Sequence, residues 1–400
     1  MTELYGVHDS GYISAVKSNE TVYIHRLQSL DHWENVLGEI SGDINEDSPV
    51  QITSNSGSGA RNSASLSLFN VDDRYTPSKN SDIWYNRKFR ILVGTALNGR
   101  IYWEPMGVFI TSNANESDGV LSITAADKFA QLNGELGIGR CVSEFSTDIS
   151  KGDIYIADLI REVLMRPIGN GYPLDPVMPL IDPYFSKTKL YADIALSAGQ
   201  FYGEIITTLA KMYGADCYYD RSGRLVFRRK PSLNIPSWYM HKGYSWRFEE
   251  NDSLIIGSPA RSTALDGSNI ITVCTDNTEG EVYSYTARNL SAESPLNIKT
   301  AGERYPDEPI VYISMGDTTR GSGEEKCRQY AEYLLMQQTA NSVSDSFCCR
   351  LIPHIEVEDI ISYKGEDRLV TGISYDLTSR QMQITSCNVA FLPDNYTLEV

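Results

Sequence analysis

The chain has 400 residues, and 35 basic against 52 acidic side chains leave a net charge of −17 at neutral pH. That balance excludes a protein that grips phosphate backbones with Lys/Arg stripes, and a composition of 41% apolar and 22% charged residues excludes whole-chain disorder. No apolar run approaches the ~20 residues that cross a bilayer, and the start, MTELYGVHDSGYISAV, lacks the basic-then-apolar pattern of a secretory signal.

At about 100–200 residues per folding unit, the length predicts roughly two to four units with their own cores. Seven cysteines (Cys141, Cys217, Cys274, Cys327, Cys348, Cys349, Cys387) are odd in number and scattered. They read as small buried hydrophobes of a protein made in a reducing cytoplasm, not as a disulfide scaffold.

With 25 tyrosines, the chain favours pleated, half-buried surfaces. Period-two alternation predicts strands over Thr21–Leu27, Ala64–Val71, Phe89–Thr95, Val108–Ser112 and Val120–Ala125. Asn45–Asn62, containing SNSGSGARNS, reads as a flexible loop. Asp153–Met165 carries Ile156, Leu159, Ile160, Val163 and Leu164 on one helical face and stops before Pro167. A Pro/Gly-rich connector, Pro167–Pro183, follows. Gly203–Tyr213 is a second helix, with Gly214 placed to end it, and it leads into a hairpin of Asp216–Tyr219 and Arg224–Arg229.

The last third returns to strands. Ile270–Thr275 and Glu281–Thr286 form a hairpin about Asn277–Gly280. Glu324–Gln338 is a helix with Cys327, Tyr330, Ala331, Leu334 and Leu335 on one face and two glutamates at its dipole-positive start. Strands follow at Ser346–Ile352, Asp359–Lys364, Leu369–Tyr375 and Gln381–Phe391. No repeat at 20–50 residues is visible.

No chemistry-bearing motif emerges. The five histidines (His8, His25, His32, His241, His354) show no HxH, HExxH or Cys/His metal spacing. Asp43–Asp47 imitates the first half of an EF-hand loop, but Ser48 and Ser54 stand where Gly and Glu are required. The Gly57-Ser58-Gly59 loop lacks the Lys-Ser/Thr of a phosphate loop, and there is no GxSxG elbow. No residue is nominated as catalytic, cofactor-binding or metal-binding, and the expectation is a protein that is not an enzyme. A large acidic β-protein without a catalytic signature has one use that is repulsive. A passage carrying nucleic acid without holding it needs negative or neutral walls.

Several stretches resemble the baseplate-hub or tail-tip proteins of tailed bacteriophages, a family also found in prophages and phage-tail-like bacteriocins. Leu66–Arg90, LSLFNVDDRYTPSKNSDIWYNRKFR, is similar to the family's strand, Asn-x-Asp-x-Arg-Tyr/Phe-Thr-Pro, spacer and second strand. Gly107–Ile110 and Gly119–Leu132, GVLSITAADKFAQL, resemble the pattern that closes its first tube-like β-domain. Tyr202–Lys230 looks like its helix, Tyr-Gly and hairpin, and Pro353–Tyr363 with Leu369–Val389 look like its closing strands. The matches occur in the family's order over most of the chain. Glu358 stands where the family often has Gly, and the connector Pro167–Pro183 has no counterpart.

The resemblance implies a mainly β chain with α+β portions, in which two β-barrel-like tube domains flank a mixed α+β middle domain. The expected division is residues 1–140 as the first tube-like domain, 141–235 as the middle domain with the connector, and 236–400 as the second tube-like domain with one packing helix. It further implies a homotrimer forming a ring that continues the tail tube of a virion. Its partners would be the distal tail protein, the tape-measure protein and a spike or fibre-bearing module, with DNA as transient cargo and no membrane insertion. Longer relatives carry a hydrolase or receptor-binding region after the second β-domain. This chain ends at Val400, so such activity is expected on another protein. If a lumen exists, part of the negative charge is expected on its wall as Asp and Glu. Two alternatives stay open: a carbohydrate-binding or polysaccharide-hydrolysing β-protein, suggested by the aromatic content, and a different tail component.

Overall fold

The structure, a computed structural model, describes residues 2–5, 10–57, 59–76, 87–137, 139–141, 144–168, 171–213, 215–229, 245–249, 252–263, 267–276, 282–292, 294–307, 310–314 and 323–389. Its N-terminal part contains β1 (Thr2–Tyr5), α1 (Ser10–Lys17), β2 (Val22–Leu30), β3 (Val36–Glu39), β4 (Gln51–Asn55), β5 (Asn62–Phe69), β6 (Lys88–Leu97), β7 (Arg100–Ser117) and β8 (Val120–Asp127). The middle part contains β9 (Phe145–Ser146), α2 (Ile156–Leu164), β10 (Leu180–Ile181), β11 (Ala195–Leu196), α3 (Gly203–Met212), β12 (Ala215–Tyr219) and β13 (Leu225–Arg229). The C-terminal part begins with β14 (Trp246–Phe248), β15 (Ile255–Thr263), β16 (Ile270–Asp276), β17 (Ser284–Arg288), α4 (Ile298–Ala301) and β18 (Ile310–Ser314). It ends with α5 (Gly323–Asn341), β19 (Val343–Arg350), β20 (Ile360–Tyr363), β21 (Glu366–Asp376) and β22 (Gln381–Asn388).

Strands from both ends of the chain join in one 14-stranded sheet, ordered β15–β19–β22–β21–β4–β5–β8–β7–β6–β2–β3, with β1 on β7 and β14–β20 beside β21. The joint between the two ends is the antiparallel pair β4–β21, which sets Asn55 opposite Gly372, Thr53 opposite Ser374 and Gln51 opposite Asp376. Alternation turns Ile52, Ala64, Leu66, Ile123, Ile373 and Ile384 to one side, where they share a core with Tyr12, Phe347 and Tyr375.

The mainly β class with α+β portions is what the chain has, but the barrel-like closure expected of its β-regions is not. Among the described residues the sheet path is open, from β15 to β3. The physical reason is β4. It lies inside the segment expected to be a flexible loop, Asn45–Asn62, and its second edge is taken by β21 instead of by a strand of its own region. Residues 277–281 and 390–400 lie outside the described residues, so the turn expected at Asn277–Gly280 and the end of the strand expected to reach Phe391 do too; β17 itself starts at Ser284 and not at Glu281.

The middle part has its own core. Ile156, Leu159, Ile160 and Val163 of α2 meet Ile205, Ile206 and Leu209 of α3 and Phe227 of β13. α3 starts against Leu132, so closely that a Cβ added to Gly203 would lie 2.2 Å from the Leu132 carbonyl oxygen. The connector Pro167–Pro183 contributes Leu174 to this core. A third, smaller core lies between α5 and the three-stranded sheet β17–β16–β18, where Cys327 and Ala331 meet Ile271 and Val273, with Leu334 and Leu335 half-buried beside them. α5 therefore packs as its apolar face predicts.

Candidate functional site

The residues singled out in the sequence do not converge. Among the described residues no group of three or more His, Cys, Asp and Glu side chains is arranged to hold a metal ion. His354 is buried between the Tyr12 hydroxyl, 2.9 Å from its Nδ1, and the Ser245 carbonyl, 3.0 Å from its Nε2. His32 stacks on Tyr172 of the connector with ring centroids 4.2 Å apart. Asp43, from the loop resembling an EF-hand, is engaged by Arg74 at 2.7 Å and by the Tyr75 hydroxyl. All seven cysteines are free thiols, and burial pushes Cys387 up to about 11.

What the fold does bring together is a set of buried charges where the β12–β13 hairpin meets the large sheet. Arg61, leading into β5, donates to the Glu358 carboxylate at 2.8 Å, and Arg228 of β13 donates to the same carboxylate at 2.5 Å. Arg228 also reaches Asp216 of β12 at 3.5 Å. Both guanidinium groups also lie over the Tyr218 ring, 3.3 Å (Arg61) and 5.2 Å (Arg228) from its centroid. Burial alone would raise the Glu358 carboxyl, but Arg228 and Arg61 outweigh it and hold the group below the usual carboxylate range. Glu358 has φ = 71°, the left-handed region that glycine tolerates best. A side chain clamped by two arginines offsets that backbone cost.

A second cluster lies deeper. Lys128, at the end of β8, holds Glu34 of the β2–β3 hairpin at 2.5 Å and Asp175 of the connector at 2.9 Å. Its ammonium also donates to the Gly223 carbonyl in the β12–β13 turn at 2.7 Å. Lys88 of β6 meets Glu34 at 3.0 Å, and the Tyr219 hydroxyl donates to Asp175 at 2.7 Å. Burial and the neighbouring Lys128 lower the Lys88 ammonium against the pull of Glu34. Gly223 has φ = 79° and packs on Val108, so a Cβ there would meet Val108 Cγ2 at 2.8 Å. Next to it, buried Arg221 donates to the carbonyls of Pro353 and Ile355 and to the Tyr375 hydroxyl.

Each of these charges is met by an opposite charge or a carbonyl, and the partners come from different segments. The arrangement clamps the middle part to the sheet. It holds no free metal-ligand set among the described residues. The sequence reading passed over these residues. Alternation does not mark them: Leu225–Arg228 are all buried, so β13 shows no period of two, and Lys128 falls on the parity that β8 turns outward.

Across β8, β5, β4, β21, β22 and β19 the other side of the sheet is polar and carries little charge. One row of cross-strand neighbours runs Asn113, Thr124, Ser65, Gln51, Asp376 and Gln381, and ends at Arg350. The next row runs Ser63, Thr53, Ser374, Gln383 and Cys348. These positions alternate with the core residues of the same strands and are half-buried or exposed. In the two rows only Asp376 and Arg350 carry charge.

No protein-family model matches the sequence, and no curated protein matches it. Solved structures do. The fold is similar to that of the 43 kDa tail protein of prophage MuSo2 from Shewanella oneidensis, at 12% identity, 92% of this chain, 98% of that chain and a TM-score of 0.52. It is also similar to that of the tail protein from Neisseria meningitidis MC58, at 10% identity, 94% of this chain, 99% of that chain and a TM-score of 0.53. At these identities the likeness is one of fold, and at that level it agrees with the resemblance seen in the sequence motifs.

Proposed function

We propose that this chain is a structural component of a phage-type tail: a baseplate-hub or tail-tip protein that assembles as a homotrimeric ring continuing the tail tube. The observation that carries the reading is the end-to-end likeness of fold, over at least 92% of this chain and 98% of either tail protein. In this reading the regions 1–140 and 236–400 supply the tube wall, and 141–235 is carried beside it on the ionic clamp. The distal tail protein and the tape measure adjoin the ring on one side and a spike or fibre module on the other. DNA is cargo, the chain resides in the virion tail, and it performs no hydrolysis itself. Assembly has physical support in the sheet's open ends. Near β3, Trp33 is 50% and Leu37 57% exposed, an apolar strand edge that a solitary protein would be expected to protect.

Mass measurement in solution and in assembled tail tips tests the reading, together with a particle image. The expected result is a three-fold ring with a central hole that leaves peptidoglycan and polysaccharide intact. A monomer or symmetric dimer persisting inside the assembled particle overturns it, as does release of soluble sugar or peptide by the purified chain.

A further inference from the structure

We propose that Lys128 and Asp175 become joined by an amide bond between Nζ and Cγ, made by the folded chain itself with Glu34 carrying the proton. The bond forms within one chain and does not depend on the ring assembly proposed above. Its three participants come from the end of β8, the connector and the β2–β3 hairpin, and they meet away from water. The side chains of Lys128, Asp175 and Glu34 are 0%, 1% and 3% exposed. Lys128 Nζ lies 2.9 Å from Asp175 Oδ1, 2.5 Å from Glu34 Oε1 and 2.7 Å from the Gly223 carbonyl oxygen. Those three acceptors use all three N–H bonds of an ammonium.

Removing the proton that faces Asp175 leaves the other two N–H bonds held and the lone pair directed at that carboxyl. Burial favours the transfer, because a neutral amine and a neutral acid cost less to keep from water than two ions. A desolvated lysine amine is a nucleophile. Asp175 is fixed to receive it. Its backbone N–H donates to the Leu164 carbonyl at 2.8 Å, the Val177 N–H donates to Oδ1 at 3.0 Å and the Tyr219 hydroxyl donates to Oδ2 at 2.7 Å. Cγ is one bond beyond Oδ1, so a small shift of the flexible lysine stem gives the ~3–3.5 Å approach that attack needs; groups held this way reach effective concentrations of about 10⁵–10⁸ M.

The lysine proton passes to Oδ1, Nζ attacks Cγ, and the negative charge that develops on Oδ2 meets the Tyr219 hydroxyl. Glu34 Oε1 takes a proton from the positively charged nitrogen and returns it to the Oδ1 hydroxyl, which leaves as water while Oδ2 closes to the carbonyl. Glu34 has capacity for that proton, since its Oε2 has no hydrogen-bond partner among the described residues. One N–C bond forms, one C–O bond breaks and one water departs, with no oxidant or reductant. The product removes one positive and one negative charge together, and Glu34 stays paired with Lys88 at 3.0 Å. The ionic contact between sheet and connector thereby becomes covalent and closes residues 128–175 into a loop that persists in the unfolded chain.

The test weighs the full chain, purified folded and then denatured. The expected mass is about 18 Da, one water, below the sum of its residues, and digestion should yield a branched peptide linking Lys128 to Asp175. A full mass, or a water loss located elsewhere, overturns the proposal. Lys128→Arg keeps the positive charge without the attacking amine and should regain the full mass; the same water loss in that variant overturns the proposal too. Glu34→Gln keeps the size of the side chain but cannot carry the proton, and bond formation should slow by roughly 10²–10⁴-fold. A Glu34→Gln chain that folds by circular dichroism and loses water at the wild-type rate removes Glu34 from the reaction. If neither variant folds, the wild-type mass and its branched peptide decide alone.

Discussion

The chain joins its parts in two different ways. The N- and C-terminal β-regions meet through a backbone ladder, β4–β21, over an apolar core shared by Ile52, Ile373 and Ile384. The middle part meets the sheet through charges: Arg61 and Arg228 on Glu358, Lys128 on Glu34 and Asp175, and Arg221 on three oxygens. The ladder needs only polar–apolar alternation and tolerates hydrophobic exchange. The ionic clamp needs particular partners, because a buried charge left alone costs far more than the intact pair gains. The first joint therefore supplies a continuous surface, and the second supplies a defined placement of one body on it.

The sharpest way to break this contrast is Arg221→Met. It removes the donor to two buried carbonyls and a buried hydroxyl, and the expected loss is about 3–5 kcal/mol. Chemical denaturation should show the midpoint falling, and a loss under about 1 kcal/mol would mean water replaces the guanidinium. On the ladder side, Ile373→Ala in β21 should cost roughly 2–5 kcal/mol through a cavity in the shared core. If the two β-regions share that core energetically, tryptophan fluorescence and circular dichroism should report one transition for it. Two separated transitions would show that the ladder joins bodies that unfold independently.

The smallest effect is a dependence on pH. The folded state keeps Glu358 ionised to lower pH than the unfolded chain does. Its contribution is thus complete above the ordinary carboxylate value, ~4.3, and is lost as pH falls through that region and below. Asp127, whose carboxyl is raised by burial, acts with the opposite sign. The informative measurement is the difference between wild type and Glu358→Gln. That difference should shrink on acidification while Asp127 cancels, and a difference independent of pH would remove the electrostatic account of the clamp.

The two joints also differ in how legible they were. The helices over Ile156–Leu164 and Gly203–Met212 and the strands over Asn62–Phe69 and Val120–Asp127 announce themselves by period, because one face is wet and one is dry. β7 was read only over Val108–Ser112, since Ile101, Tyr102, Trp103 and Glu104 are all buried and a strand covered on both faces does not alternate. β4 was missed because QITSN holds a single apolar residue between loop-like neighbours. The clamp was missed for a related reason. Arg61, Lys128 and Glu358 look like ordinary surface charges until distant segments meet around them.

By itself, then, the sequence determined what depends on near neighbours: the β-rich class, the amphipathic helices, the hairpin of the middle part, and the absence of a local catalytic motif. The tertiary structure decided the rest: that β4 would carry one sheet across both ends of the chain, that the connector would bring Asp175 to Lys128, and that the outer rows from β8 to β19 would carry little charge. Periodicity is a property of a segment and its own two sides. Strand partners and buried ion pairs are properties of segments far apart in the chain, and only their meeting in space gives them an energy.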